Sequence, residues 1–427
     1  MDATTIAWPP QRAVESAELQ RWRDEARTQL LAAGLPDAGD EHWRRADFGF
    51  LAALAGGLDA RADADAPAFA PLDLADATHR VFVDGRHAPA LDRDAGYNDD
   101  DAFSLSPLHA ADAATLLPNA ALSGDLRLAL LNHALGADGA RLVVRQGRAA
   151  RAAIVLDHRG ARQRPGLSAV SHAIRLEAGA SATLIEHYDD RCAAPRTLLG
   201  DVQIELGAGS RLLHLRLFAP THAAHHVDTL RVVAAADAHY AQRVLATPAR
   251  ALRSTQTLRL TGDGAGADLR LGAVARDRTD VDLRVLIEHA ANATRSEQTM
   301  HVLGAGGRAT VDSEVSVERG TRAVRTRQSL RALLLRTPCD VALRPRLAIR
   351  ADEVDCRHGA TTSALSDAQL FYLRSRGLPL EEARALLAAA HLRQLFTPAA
   401  DAALDALVQR EVDTALAAAV AAPRAAA

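Results

Sequence analysis

The segment Leu176-Glu177-Ala178-Gly179-Ala180, followed by Leu184-Ile185, reappears 28 residues later as Ile204-Glu205-Leu206-Gly207-Ala208 followed by Leu212-Leu213. A further copy of the turn stands at Leu303-Gly304-Ala305-Gly306. A repeat of this length restricts a chain to stacked units, each burying its apolar face only on its neighbours. Around the repeat, between about 140 and 350, runs such as Leu142-Val143-Val144, Ala153-Ile154-Val155-Leu156 and Val202-Gln203-Ile204 are separated by Gly, Asp and Arg turns. Short strands with Gly-Ala corners predict a β-helix rather than an α-solenoid, with a two-sheet sandwich as the alternative.

Helical periodicity brackets this region. Leu19, Trp22, Ala26, Leu30 and Ala33 recur at helical spacing and stop at Gly34 and Pro36. A second short helix is expected to end near Gly56 and Gly57, an Ala-, Asp- and Pro-rich linker follows from Asp59 to Asp76, and Leu126 to Leu135 is helical again. After Thr362, Ser366 and Gln369 form a capping box and Gly377 supplies the stop. Pro379 opens a second helix with Leu386, Leu387, Ala390 and Phe396. A third carries Leu404, Leu407, Val408, Val412, Leu416 and Val420, a stripe broad enough to pack beyond its own hairpin. The expected divisions are a helical domain with linker over 1–138, a β-helix core over 139–364 and a helical domain over 365–427.

Composition removes several functions. All 50 basic side chains are arginines, so no P-loop, Schiff-base or general-base lysine exists in this chain. If ATP is consumed, another polypeptide consumes it. The net charge of −3 gives no electrostatic case for nucleic acid or an anionic membrane. Aromatic residues are only 4% of the chain, so the core is built from Leu, Val, Ile and Ala in thin layers. Three widely spaced cysteines, Cys192, Cys339 and Cys356, suit a reducing cytosol better than a disulfide framework. Met1 to Gln11 has no signal-peptide pattern, and no apolar run is long enough to span a bilayer, so a cytoplasmic location is expected.

The run Ile349-Arg350-Ala351-Asp352-Glu353-Val354-Asp355-Cys356-Arg357-His358-Gly359-Ala360-Thr361 leads into Leu370-Phe371-Tyr372-Leu373-Arg374-Ser375-Arg376-Gly377. Both words, in this order and spacing, closely resemble the C-terminal signature of the SufB/SufD family. Weaker likenesses are Leu131-Asn132-His133-Ala134 with Asp138-Gly139, and Glu186-His187-Tyr188. The length, the compact helical N-terminus and the Phe-Tyr-Leu-Arg-Ser-Arg-Gly-Leu form resemble the D-type branch; the B-type sister is usually longer and richer in cysteine. Two departures stand out: Glu41-His42-Trp43-Arg44-Arg45-Ala46 in place of Glu-x-Trp-(Lys/Arg)-Tyr-Thr, and Arg357 where serine is usual. The resemblance implies a right-handed parallel β-helix flanked by helical domains, in a non-catalytic scaffold subunit for iron–sulfur cluster assembly. It further implies pairing with a SufB-type sister scaffold through the β-helix and docking of a SufC-type ABC ATPase on the C-terminal helices. The substrate would be iron or a cluster held transiently and shared with the partner. Flavin is associated with the assembled family complex, and no residue here assigns it to this chain.

In an extended 354–358 segment, alternation places Val354, Cys356 and His358 on one face and Asp355 and Arg357 on the other. Cys356 and His358 can then converge on one soft metal or cluster iron. A closed zinc or iron–sulfur centre takes about four ligands, so the remainder must come from Cys339 on a neighbouring coil or from a partner chain. The plainer reading is a buried small cysteine beside a hydrogen-bonded histidine.

Other candidates are weaker. His222, His225 and His226, with His214 and His239, read as solvated loop histidines because no regular geometry gathers them. Asp92 and Asp94 could open a calcium loop, but Tyr97 and Phe103 occupy the positions of its glycine and its bidentate Glu. Cys192 reads as a plain loop thiol. Arg319, Arg322, Arg325, Arg327 and Arg331 could meet the phosphates of a flavin or nucleotide, but read more simply as the solvated side of strands. Against the scaffold stand an adaptor for the ATPase with no metal chemistry and a carbohydrate-active β-helix enzyme, whose paired carboxylates the dispersed acids do not supply.

Overall fold

The computed structural model describes residues 5–9, 17–58, 72, 74, 76–95, 101–108, 125–136, 138–161, 165–190, 196–219, 224–248, 250–396 and 402–420. Helices α1 (Ala17–Ala33) and α2 (Leu51–Leu54) precede strands β1 (Thr78–Val83), β2 (Arg86–His87) and β3 (Phe103–Pro107). Helix α3 (Arg127–Ala134) leads into β4 (Ala140–Val144), β5 (Ile154–Gly160), β6 (Gly166–Leu176), β7 (Ser181–Asp190), β8 (Arg196–Leu206) and β9 (Arg211–Phe218). Then come β10 (Ala224–Ala234), β11 (His239–Ala246), β12 (Ala251–Leu260), β13 (Gly266–Arg276), β14 (Asp280–His289) and β15 (Arg295–Ala305). The last coils use β16 (Arg308–Val317), β17 (Arg322–Arg336), β18 (Asp340–Ile349) and β19 (Glu353–Ala364), followed by α4 (Asp367–Ser375), α5 (Leu380–Arg393) and α6 (Ala402–Val420).

From β4 onward the chain alternates between two sheets, and each strand pairs in parallel with the strand two places later. This is a parallel β-solenoid with helices at both ends, not a sandwich of antiparallel sheets. Among the strands of the described residues, antiparallel pairing is confined to the start, where β2 lies against β1 and β3 against β4. These first strands fall within the stretch expected to be helical or linker. Between the sheets, inward Leu, Val, Ile and Ala from successive coils form one continuous core.

The repeat is real, but its register is not the one the words suggest. Leu176 pairs with Leu206, an offset of 30 residues. Gly179 therefore matches Gly209, both at positive φ, and the Gly179 N–H donates to Ala208 O at 2.8 Å. The same corner recurs at Gly147, Asp237, Gly264, Ala293 and Ala323, all left-handed. One residue per coil must reverse the chain there, and glycine does so without a Cβ penalty. Gly207 lies in the same turn as Gly209, whereas Gly304 belongs to β15, at the opposite edge of the coil.

Each end of the chain covers one outer face. Leu30 of α1, Leu54 of α2, and Leu128 and Leu131 of α3 pack on Leu167, Leu199 and Val227 of the even-numbered strands. Leu392 of α5 and Leu407, Val412 and Leu416 of α6 pack on Ile185, Leu217, Leu245 and Leu303 of the odd-numbered strands. The broad α6 stripe is thus spent on the chain's own solenoid.

Candidate functional site

Among the described residues the two sheets end in β18 and β19, each hydrogen-bonded to a strand on one side only. β19 pairs with β17, placing Cys356 opposite Thr326 and His358 opposite Gln328. Val324, Thr326, Gln328 and Leu330 are buried and point between the sheets, so Val354, Cys356 and His358 share that inward face as alternation predicts. Val354 and Cys356 are half-buried against Val315, Val317 and Val324, while His358 is exposed. On the other face, Arg357 Nε donates to Asp355 at 3.1 Å. Burial, helped by the Asp355 charge, pushes the Cys356 thiol above its ordinary pKa, so a metal must displace its proton to bind. Under the imidazole's strand partner the structure is firm: Gln328 Nε2 donates to the Ser313 carbonyl and hydroxyl, both at 2.9 Å.

Cys339 does not join this pair. It lies in the turn between β17 and β18, donating to Gly307 O at 3.1 Å. Ten residue steps along β17, about 33 Å of extended chain, separate Thr326 from Arg336 near that turn. Among the described residues no group of three or more His, Cys, Asp or Glu side chains is placed to hold a metal ion. Cys192 and His222 lie outside the described residues.

The histidines expected in a solvated loop are instead strand residues. His226 on β10 is buried between Tyr188 and Phe218, with ring centroids 4.5 and 4.9 Å away. His225, on the opposite face of β10, lies 3.7 Å from Asp47. His214 is buried, its Nε2 2.7 Å from Glu186. Asp92 accepts from the Val81 N–H at 2.9 Å and meets His87 Nε2 at 2.7 Å, so it closes a polar loop.

The weaker family words prove structural. His133 Nε2 lies 2.7 Å from Asp201, and Asn132 Nδ2 donates to Val170 O at 3.0 Å, pinning α3 to the solenoid. Trp43 Nε1 donates to Asp125 at 2.6 Å, with the Arg253 guanidinium 3.6 Å above the ring. Gly139 is obligatory because a Cβ there would lie 1.5 Å from Ser171 O. Glu186 and Tyr188 point between the sheets, where Tyr188 donates to Glu186 and Arg216 meets the same carboxylate at 3.1 Å. Sequence reading passed over this ion network, since an inward carboxylate on an alternating strand looks like an outward one.

The fold is a parallel two-sheet solenoid with helices on its outer faces, and its last strand carries a thiol and an imidazole on an edge that pairs with no further strand among the described residues. Residues 158–391, more than half of the chain, match the family model described as SUF system FeS cluster assembly, SufBD core domain. The chain belongs to the SufB/SufD family of iron–sulfur cluster assembly proteins. It is 27% identical to the iron–sulfur cluster assembly protein SufD of Escherichia coli over 86% of each chain. It is 28% identical to SufD of Bacillus subtilis over 31% of each. An iron–sulfur cluster assembly SufBD family protein of Mycobacterium leprae is 34% identical over 30% of this chain and 15% of that protein. No helix among the described residues is long and apolar enough to cross a membrane.

Proposed function

We propose that this chain is a non-catalytic, cytoplasmic scaffold subunit that pairs with a SufB-type sister and lends Cys356 and His358 to a nascent iron–sulfur cluster. The observation that carries this is the position of the two side chains, together on the inward face of the terminal strand β19. An unpaired edge strand is a template for a strand from another chain. Two ligands on such an edge leave the rest of the coordination to whatever pairs there. A neutral imidazole holds iron more labilely than a thiolate, which suits cargo that is given away. The three parts of the chain divide the work: 1–138 braces one face, 139–364 carries the edge, and 365–427 meets the ATPase.

The ATPase contact cannot use the α6 stripe, which is covered. It falls instead to α4, where Phe371 is 76% and Tyr372 56% exposed, and to a groove of about 830 Å³ between α5 and α6 beside Leu378 and Leu386. Co-expression with a SufB-type scaffold and a SufC-type ATPase, followed by iron and sulfide analysis of the purified complex, tests the reading. A stable three-protein complex that binds iron and sulfide supports it. A chain that purifies alone under all conditions contradicts it.

A further inference from the structure

The outer face of the odd-numbered strands carries three pairs of arginines directly opposite each other on neighbouring strands: Arg243 with Arg270, Arg295 with Arg325, and Arg327 with Arg357. Like charges in such positions repel and destabilise a sheet. Two of the pairs hold a carboxylate of the chain itself. Asp268 lies 2.7 Å from Arg243 and 3.4 Å from Arg270, and Asp355 lies 3.1 Å from Arg357. The third pair has no carboxylate in ion-pair contact: among the described residues neither Arg295 nor Arg325 is in an ion pair, although Asp355 stands opposite Arg325 on β19. Both are exposed and line a groove of about 610 Å³, within the usual range of small-molecule sites. Arg327, also exposed and in no ion pair among the described residues, is two residues further along β17, opposite Glu297 of β15.

We propose that Arg295, Arg325 and Arg327 form a binding site for a compact phosphorylated small molecule carrying a diphosphate. The anion takes the place that Asp268 takes between Arg243 and Arg270. Neighbouring strands are about 4.8 Å apart and alternate residues about 6.6–7 Å. Three guanidinium forks at those intervals span two adjacent tetrahedral groups, and the planar fork suits bidentate phosphate recognition. The groove also contains Asp237, Glu297 and Asp355. These carboxylates would repel a long acidic chain laid across it, which favours a compact ligand. The site faces away from the inward side of Cys356 and His358, so ligand and cluster would occupy opposite faces of the last coil.

Calorimetric titration of the full-length chain with pyrophosphate and with ADP, at low and at physiological salt, tests the site. Saturable 1:1 binding is expected, weakened at least tenfold in the Arg295→Gln/Arg325→Gln double variant. The Arg322→Gln/Arg331→Gln variant, which removes equal charge on the same strand system outside the groove, should bind within about twofold of wild type. Relief of the repulsion should leave the first variant melting at or above the wild-type temperature. Arg325→Lys, which keeps the charge and loses the fork, should weaken binding several-fold. Absence of saturable binding, equal losses in both double variants, an unchanged Arg325→Lys affinity, or tighter binding of polyglutamate than of pyrophosphate would each overturn the proposal.

Discussion

The Arg216 guanidinium on β9 lies 2.8 Å from the Asp228 carboxylate on β10, an ion pair that crosses from one sheet to the other inside the solenoid. Both side chains, and the Glu186 carboxylate that Arg216 also meets, are fully buried. Burial alone would raise the Glu186 carboxyl, but Arg216 and His214 overcome it and hold the group well below the usual carboxylate range. At Asp228 burial wins, and its carboxyl is raised. Replacing Arg216 by Leu strands two buried carboxylates and should cost about 3–5 kcal/mol. Chemical denaturation of the purified variant checks this; an unchanged midpoint would mean that the network carries no structural weight.

A second consequence concerns acid. Burial holds His172 down to about 4 and His226, with Arg216 and Arg196 adding to the effect, down to about 3. The folded chain therefore refuses protons that the unfolded chain accepts below about pH 6.5. Stability that is fully present above that pH should fall as the pH drops through 6 and 5. His226→Phe, whose ring suits the space between Tyr188 and Phe218, removes one such histidine. The slope of unfolding free energy between pH 6 and 5 should shrink by about 1.2 kcal/mol per pH unit, read by urea unfolding across that range. Equal slopes in both proteins would contradict the buried neutral imidazole.

The covered α6 stripe changes how the ATPase contact is to be tested. Deleting residues 366–427 would bare Ile185, Leu217, Leu245 and Leu303 along with any docking surface. Phe371→Ser/Tyr372→Ser touches only exposed side chains, and its stability should stay within about 0.5 kcal/mol of wild type for each change. Binding of a SufC-type ATPase, measured by pull-down or calorimetry, should fall at least tenfold. Undiminished binding by the well-folded double variant would move the contact away from α4.

How far residues announced this structure depends on the distance over which their signal acts. Helix α1 and helix α6 were legible because 3.6-residue spacing is local, and so was the shared face of Cys356 and His358, which needs only alternation. The repeat was legible as a period but was placed two residues out, because Gly207 matched the word while Gly209 matched the conformation. Strand β1 was hidden because its parallel partner, Ile154–Arg159, lies more than 70 residues away, and β2 and β3 only add antiparallel edges to β1 and β4. His225 and His226 looked like loop residues until their pairing with Ala251 and Leu252 made them a strand. The facing arginines, 27 or 30 residues apart in sequence, exist only in the register. Side-chain direction within a strand is local information; what lies across from it is not.

On the proposed function, His358, with Cys356 beside it, holds iron at the open edge of β19. The most direct measurement is the iron and sulfide content of complexes purified with a SufB-type scaffold and a SufC-type ATPase, comparing wild type with His358→Ala. His358 is exposed and contributes little to folding, so the variant should assemble with unchanged stoichiometry and lose most of its cluster, with Cys356→Ser giving a smaller loss. Complexes that assemble normally with wild-type iron and sulfide would contradict the site and leave this chain an adaptor for the ATPase.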